Sequence, residues 1–233
     1  MESFRRVSEI GYRTIQVQWV GPGVSKEVVK EALDASELHC IGTQDYFEEV
    51  VSRLDEFIAM NQLWGGRSVC VSGIPPEYMS VDGCREFAAV LDGIAKKLAA
   101  LGLVLELHPR SQEYALLEGR TAVERVLEQT QEPVGLGLDL YHVFRAGLDP
   151  VAWIGAWHER TEWVHFKDAV MDVDGAEQLV PVGQGVLPWP DIFAACLDKG
   201  IRYGFAEQER WVGDPFDRLQ ESFSYITSHG IGV

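Results

Sequence analysis

Short apolar stretches alternate along the chain with longer segments whose apolar residues recur every three or four positions, the periods of strand and helix. Strands are predicted at 14–19 (TIQVQW), 38–43 (LHCIGT), 68–74 (SVCVSGI), 103–108 (LVLELH), 134–140 (VGLGLDL), 163–167 (WVHFK) and 203–207 (YGFAE). Helices are predicted at 25–37, 45–65, 80–102, 120–131, 149–160, 188–200 and 214–230, and the opening ESFRRVSEIGY also reads as a helix. Several begin with Ser or Pro and end at Gly, the residues that start and stop helices.

Many of the strands are apolar almost throughout, as parallel strands covered by helices are. Repeated strand–helix units without a break in composition predict a single α/β domain over residues 1–233. An open nucleotide-binding sheet carries a Gly-rich turn after its first strand; GPGVSK (21–26) has neither phosphate-binding spacing. The expectation is therefore a (β/α)8 barrel-like fold. Seven strands are readable rather than eight, so the first strand of such a barrel is expected to be missing, or its place taken by a partner or loop.

The strand ends carry the chemistry. Residues two apart on a strand share a face, which pairs Glu106 with His108, His165 with Lys167, and Glu207 with Glu209; Asp139 ends its strand with His142 just beyond. Singly, each has an ordinary explanation: a helix cap, a structural histidine, or a Lys167–Asp168 surface ion pair. Four late strands ending alike is another matter. In a parallel barrel the C-terminal strand ends open onto one mouth, so Glu106, Asp139, His165 and Glu207 would share a space. Three adjacent carboxylates repel unless a cation neutralises them. With one imidazole they form an oxygen and nitrogen set suited to one divalent metal ion, Mn, Mg, Co or Zn.

Composition narrows the partners. With 20 Lys and Arg against 36 Asp and Glu the formal charge is −16, and the basic residues are scattered, which argues against nucleic acid. Cys40, Cys70, Cys84 and Cys196 lie far apart with no CxxC pair, which suits a reducing compartment. There is no apolar run of membrane-spanning length and no signal-peptide core, so a cytoplasmic protein without a membrane partner is expected.

The stretches LELHP, GLDLYHVFRAGLDP, WVHFKDA, VPVGQGVLPWPDIF and YGFAEQE resemble those of the xylose isomerase-like TIM-barrel superfamily, which holds sugar isomerases, epimerases and inosose-type dehydratases. The likeness covers nearly the whole chain. It implies Glu106, Asp139, His165 and Glu207 as metal ligands and His142 as a contact to substrate oxygens. A second acid usually follows the first Glu, and Gln112 and Glu113 both fall near its position. Many members carry an Arg after the ligand His; HFKDAVMDVDG has none, and Lys167 would take part of that role. Members also begin with a strand before the helix that the opening segment resembles.

The resemblance implies a metal-dependent isomerase or epimerase acting on a free ketose or related polyol ketone. Glu207 and Glu106 would serve as base and acid, and His142 and Lys167 would stabilise oxygen charge. His108 and Arg110 would line the pocket, and Trp189, after the Gly183–Gly185 loop, would wall a sugar ring. A sugar phosphate is disfavoured, since no phosphate cradle is evident. The alternatives are an inosose-type dehydratase using the same site and a non-catalytic degenerate barrel. A DNA-repair endonuclease of the superfamily would need more histidines and a basic face. Parallel barrels often pair through outer helices, so a homodimer or higher oligomer is expected.

Overall fold

The computed structural model describes residues 2–21, 23–171 and 176–232; the predicted GPGVSK turn includes residue 22, outside that set. The chain divides into two compact units, one of Gln16–Lys30 and His39–Gly137, the other of Met1–Ile15, Glu31–Leu38 and Leu138–Val233.

The first unit holds Gln16–Gln18 of β1 (Thr14–Gln18), and β2 (His39–Tyr46), β3 (Ser68–Ser72), β4 (Val104–His108), a small hairpin of β5 (Leu116–Leu117) and β6 (Arg120–Thr121), and β7 (Val134–Leu136). The main sheet has the order β1-β2-β3-β4-β7. Pairing from β2 to β7 is parallel, with Cys70 opposite Glu106, Ser72 opposite His108 and Glu106 opposite Gly135. Val69, Val71, Leu105 and Leu107 are buried. The helix Val81–Ala99 starts where the Ser80 hydroxyl accepts the Gly83 N–H, and the helix Ala122–Gln129 where Thr121 and Glu124 cap each other reciprocally.

Two expectations are corrected here. The helix predicted over 45–65 starts later, because β2 runs on through Asp45 and Tyr46. It is also broken at Arg53 into Phe47–Ser52 and Leu54–Trp64. The second piece buries Phe57, Ile58, Asn61 and Trp64. The β5–β6 hairpin was not predicted; Glu118 and Gly119 turn it, both at positive φ.

The second unit holds β8 (Leu138–Asp139), β9 (Trp163–Phe166), β10 (Asp168–Met171), β11 (Glu177–Val180) and β12 (Tyr203–Ala206). β12, β9 and β8 form a parallel three-stranded sheet in that order, with Asp139 opposite His165 and Phe205 opposite His165 on the other side. β10 and β11 pair antiparallel, an excursion that was not predicted. The strand predicted over 134–140 is interrupted at Gly137 and leads directly into a helix, Leu140–Arg145. Within this unit the opening helix Glu2–Ile10 leads to Tyr12, whose ring meets Phe223 edge-on at 5.1 Å, while Arg6 lies over Phe216.

All four cysteines are buried free thiols, and burial pushes Cys40 and Cys196 up to about 12. They are unreactive core groups. No described helix is long and apolar enough to cross a membrane.

Candidate metal centre

The second unit brings Asp139, His165 and Glu207 together from the ends of β8, β9 and β12. Each offers a ligand atom, and these atoms lie within 4.8 Å of one another. His165 Nδ1 is 2.8 Å from Glu207 Oε2 and 4.0 Å from Asp139 Oδ2. Two atoms each about 2.1 Å from one ion can lie up to about 4.2 Å apart, so both separations suit ligands of a shared cation. Asp139 and His165 are almost wholly buried. The imidazole packs against Trp163, with ring centroids 4.7 Å apart, and meets Phe205 edge-on at 6.2 Å, contacts that restrict its orientation.

The two oxygens of Asp139 do different work. Oδ1 accepts the His142 N–H and starts the helix Leu140–Arg145. Oδ2 faces the cluster, 3.0 Å from Lys167 Nζ and 3.8 Å from His142 Nε2. The Asp-x-x-His spacing is therefore a helix N-cap whose spare oxygen points at the site.

Lys167 is the cation already present. Its buried ammonium touches Asp139 Oδ2, Glu207 Oε2 at 3.3 Å and Glu209 Oε1 at 2.7 Å. Burial alone would lower the lysine, but Asp139, Glu207 and Glu209 outweigh it and hold Lys167 above its ordinary value. Burial alone would likewise raise Glu207; His165 and Lys167 reverse this and keep the carboxyl well below the usual range. Glu207 Oε2 is buried without a well-directed hydrogen bond. A hard oxygen set with one imidazole, no thiolate and an oxygen held mainly by charge fits a divalent cation.

The alternative explanation of Lys167 and Asp168 as a surface ion pair does not hold: both residues are buried, and Asp168 serves a loop instead. Its Oδ1 accepts the N–H groups of Ala169, Val186 and Leu187, and its Oδ2 those of Gly183 and Gly185. The Trp189 indole N–H also donates to Oδ2, at 2.6 Å. A side chain at Gly185 would run into the Asp168 carboxylate and the Ala169 carbonyl. This is why the Gly-x-Gly loop and the Trp follow His-x-Lys-Asp. Trp189, expected as a pocket wall, is 1 % exposed and packs with Phe166 and Phe193, a core position.

The first unit holds the other expected residues. Glu106 and His108 share a face of β4 and are buried, with Ser72 Oγ 3.3 Å from His108 Nδ1. Glu113 is buried too, and desolvation raises its carboxyl above the usual range despite Arg110 beside it. It accepts the Arg110 backbone N–H, and its other oxygen is 3.5 Å from Arg110 Nη2.

Parallel strands carrying acid and imidazole at their C-terminal ends, each followed by helical cover, define an α/β protein of the TIM-barrel type. A family model described as the xylose isomerase-like TIM barrel matches residues 4–228, and the chain belongs to that family. A search of curated proteins found no match. Among solved structures, a sugar phosphate isomerase/epimerase from Parabacteroides distasonis superposes with a TM-score of 0.79 at 18% identity, covering 97% of this chain and 87% of that one. The probable 3-DHS dehydratase AsbF of Bacillus anthracis, involved in petrobactin synthesis, gives 0.77 at 15% identity, covering 97% and 92%. An L-ribulose 3-epimerase gives 0.72 at 15% identity, covering 98% and 87%. At such identities the likeness carries the fold.

Proposed function

We propose that the protein is a divalent-metal-dependent isomerase or epimerase acting on a ketose or related polyol ketone. The observation that carries this reading is the convergence of Asp139, His165 and Glu207 on one point, with ligand atoms within 4.8 Å. In this fold the C-terminal strand ends share a mouth, which supports Glu106 as the fourth ligand, as the resemblance implies, with His108 beside it on the same face of β4. A divalent ion held there acts as a Lewis acid toward a carbonyl and its neighbouring hydroxyl.

The chain's own residues then move the proton. Glu207, kept ionised by His165 and Lys167, is the base that takes the hydrogen next to the carbonyl, and Glu106 is the acid that returns one. His142, partly exposed beside Asp139, and Lys167 donate to oxygens as negative charge develops on them. The same first step followed by loss of a β-hydroxyl would make a dehydratase, and the likeness to a probable dehydratase keeps this second reading open.

Incubation with Mn²⁺ and a panel of ketoses and inososes in D₂O separates the two, followed by proton NMR. We expect deuterium at the carbon next to the carbonyl with wild type, and at least 100-fold less with Glu207→Gln, a size that removal of a general base produces. Exchange with recovery of an epimer supports the first reading, and loss of water the second. No exchange on any substrate, with metal bound, would overturn both.

A further inference from the structure

We propose that the C-terminal ends of β1, β2 and β4 form a recognition platform for a polyhydroxy ketone that ends in a carboxylate, Trp19 and Tyr46 lying against its carbon chain and Arg110 holding its carboxylate. The inference deepens, and rests on, the isomerase reading above, because it names the class of substrate.

Three strands of one sheet end in these side chains: Trp19 directly follows β1, Tyr46 is the last residue of β2, and Arg110 stands two residues after β4. β3 lies between β2 and β4 and is followed by Gly73. The arginine crosses over that glycine, where a Cβ would sit 2.7 Å from Nη2. Its guanidinium thereby reaches Tyr46, 5.7 Å from the ring centroid. Gly73 is at φ +81°, so two independent constraints reserve the position for a residue without a side chain.

Trp19 is held out deliberately. It is a bulky residue at φ +44°, a conformation that costs free energy and persists where surroundings enforce it. Its indole N–H donates to Asp45 Oδ1 at 3.0 Å, and its ring lies 5.8 Å from that of Tyr46. Trp19 is 52 % exposed and Tyr46 43 %. Two adjoining exposed rings beside a guanidinium offer apolar faces for the C–H groups of a sugar and a cation for its charged end.

The guanidinium has capacity to spare. Nε is buried against Gly73, and among the described residues the terminal nitrogens have one hydrogen bond, from Nη2 to Glu113 at 3.5 Å, so the Nη1 side is unused. A carboxylate takes two parallel N–H bonds from such a fork. With Asp45 and Glu113 close by, a doubly charged phosphate ester meets about twice the repulsion that a carboxylate does. The carboxylate is therefore the occupant.

The test is calorimetric titration of gluconate, sorbitol and sorbitol 6-phosphate into the full chain, with Mn²⁺ and without metal. Wild type should bind gluconate about tenfold or more tightly than sorbitol in both conditions. Arg110→Gln should abolish that preference and leave sorbitol binding unchanged, while Arg110→Lys, which keeps charge but not the fork, should retain part of it. Trp19→Ala should weaken both ligands alike. A preference that survives Arg110→Gln, no preference in wild type, or tighter binding of sorbitol 6-phosphate would each overturn the proposal. Mn²⁺ titrated alone reports on the metal reading separately, and the metal-free arm decides the present one even if no metal binds.

Discussion

Asp168→Asn should lower stability by about 3 kcal/mol or more, seen as a lower urea midpoint with an unchanged slope. The Asp168 carboxylate is buried and accepts five backbone N–H groups and the Trp189 indole. Asparagine fits the same volume but turns one oxygen into an NH₂ that faces N–H donors. At Oδ2 three donors, Gly183, Gly185 and Trp189, would lose an acceptor; at Oδ1 the same holds for Ala169 and Leu187, while Val186 keeps the Ala169 carbonyl. Buried donors left unsatisfied cost about 1–3 kcal/mol each before relaxation, so either orientation is costly. Asp168→Ala should be as harmful or worse. A change within about 0.5 kcal/mol would mean that the loop from Gly183 to Trp189 is held by other contacts.

Lys167→Met should strongly destabilise the protein in chelator and much less so in Mn²⁺. Without the ammonium, Asp139, Glu207 and Glu209 lose the cation each of them touches. Removing one partner of a buried ion cluster costs about 3–5 kcal/mol. A divalent ion held by Asp139 and Glu207 restores the missing positive charge and stabilises by mass action. The expected readout is a melting temperature in chelator well below wild type, and a gain on adding Mn²⁺ larger in the variant than in wild type. Equal gains in the two proteins would show that Lys167 and metal do not serve the same oxygens.

Much of this was legible in the sequence, for a physical reason. Seven apolar stretches stood out because parallel strands bury both faces; six coincide with a strand, at 14–18, 39–46, 68–72, 104–108, 163–166 and 203–206, and the seventh with two, at 134–136 and 138–139. Asp139, His165 and Glu207 could be picked because a carboxylate or imidazole at the end of such a run conflicts with burial unless something uses it. Asp168 was harder: a Lys-Asp pair reads as a surface ion pair, and only the fold shows six donors arriving from residues 169–189. Its one signal was the Gly-x-Gly spacing, which leaves room for a carboxylate. Trp189 was misread because a tryptophan near a predicted site looks like a pocket wall, while its indole N–H was already claimed by Asp168. Trp19 and Tyr46 carry little signal in the sequence, because aromatic residues at strand ends are ordinary there and Asp45–Tyr46 reads as the start of a helix rather than the end of β2.

We propose that Asp139, His165 and Glu207 hold a divalent ion. Elemental analysis of protein purified without chelator, with Mn²⁺ titrated into wild type, Glu207→Gln and Asp139→Asn, tests it most directly. Wild type should hold about one ion per chain, with binding at least tenfold weaker in both variants. Wild type that takes up no Mn²⁺, Co²⁺, Mg²⁺ or Zn²⁺, or variants that bind as tightly as wild type, would contradict it.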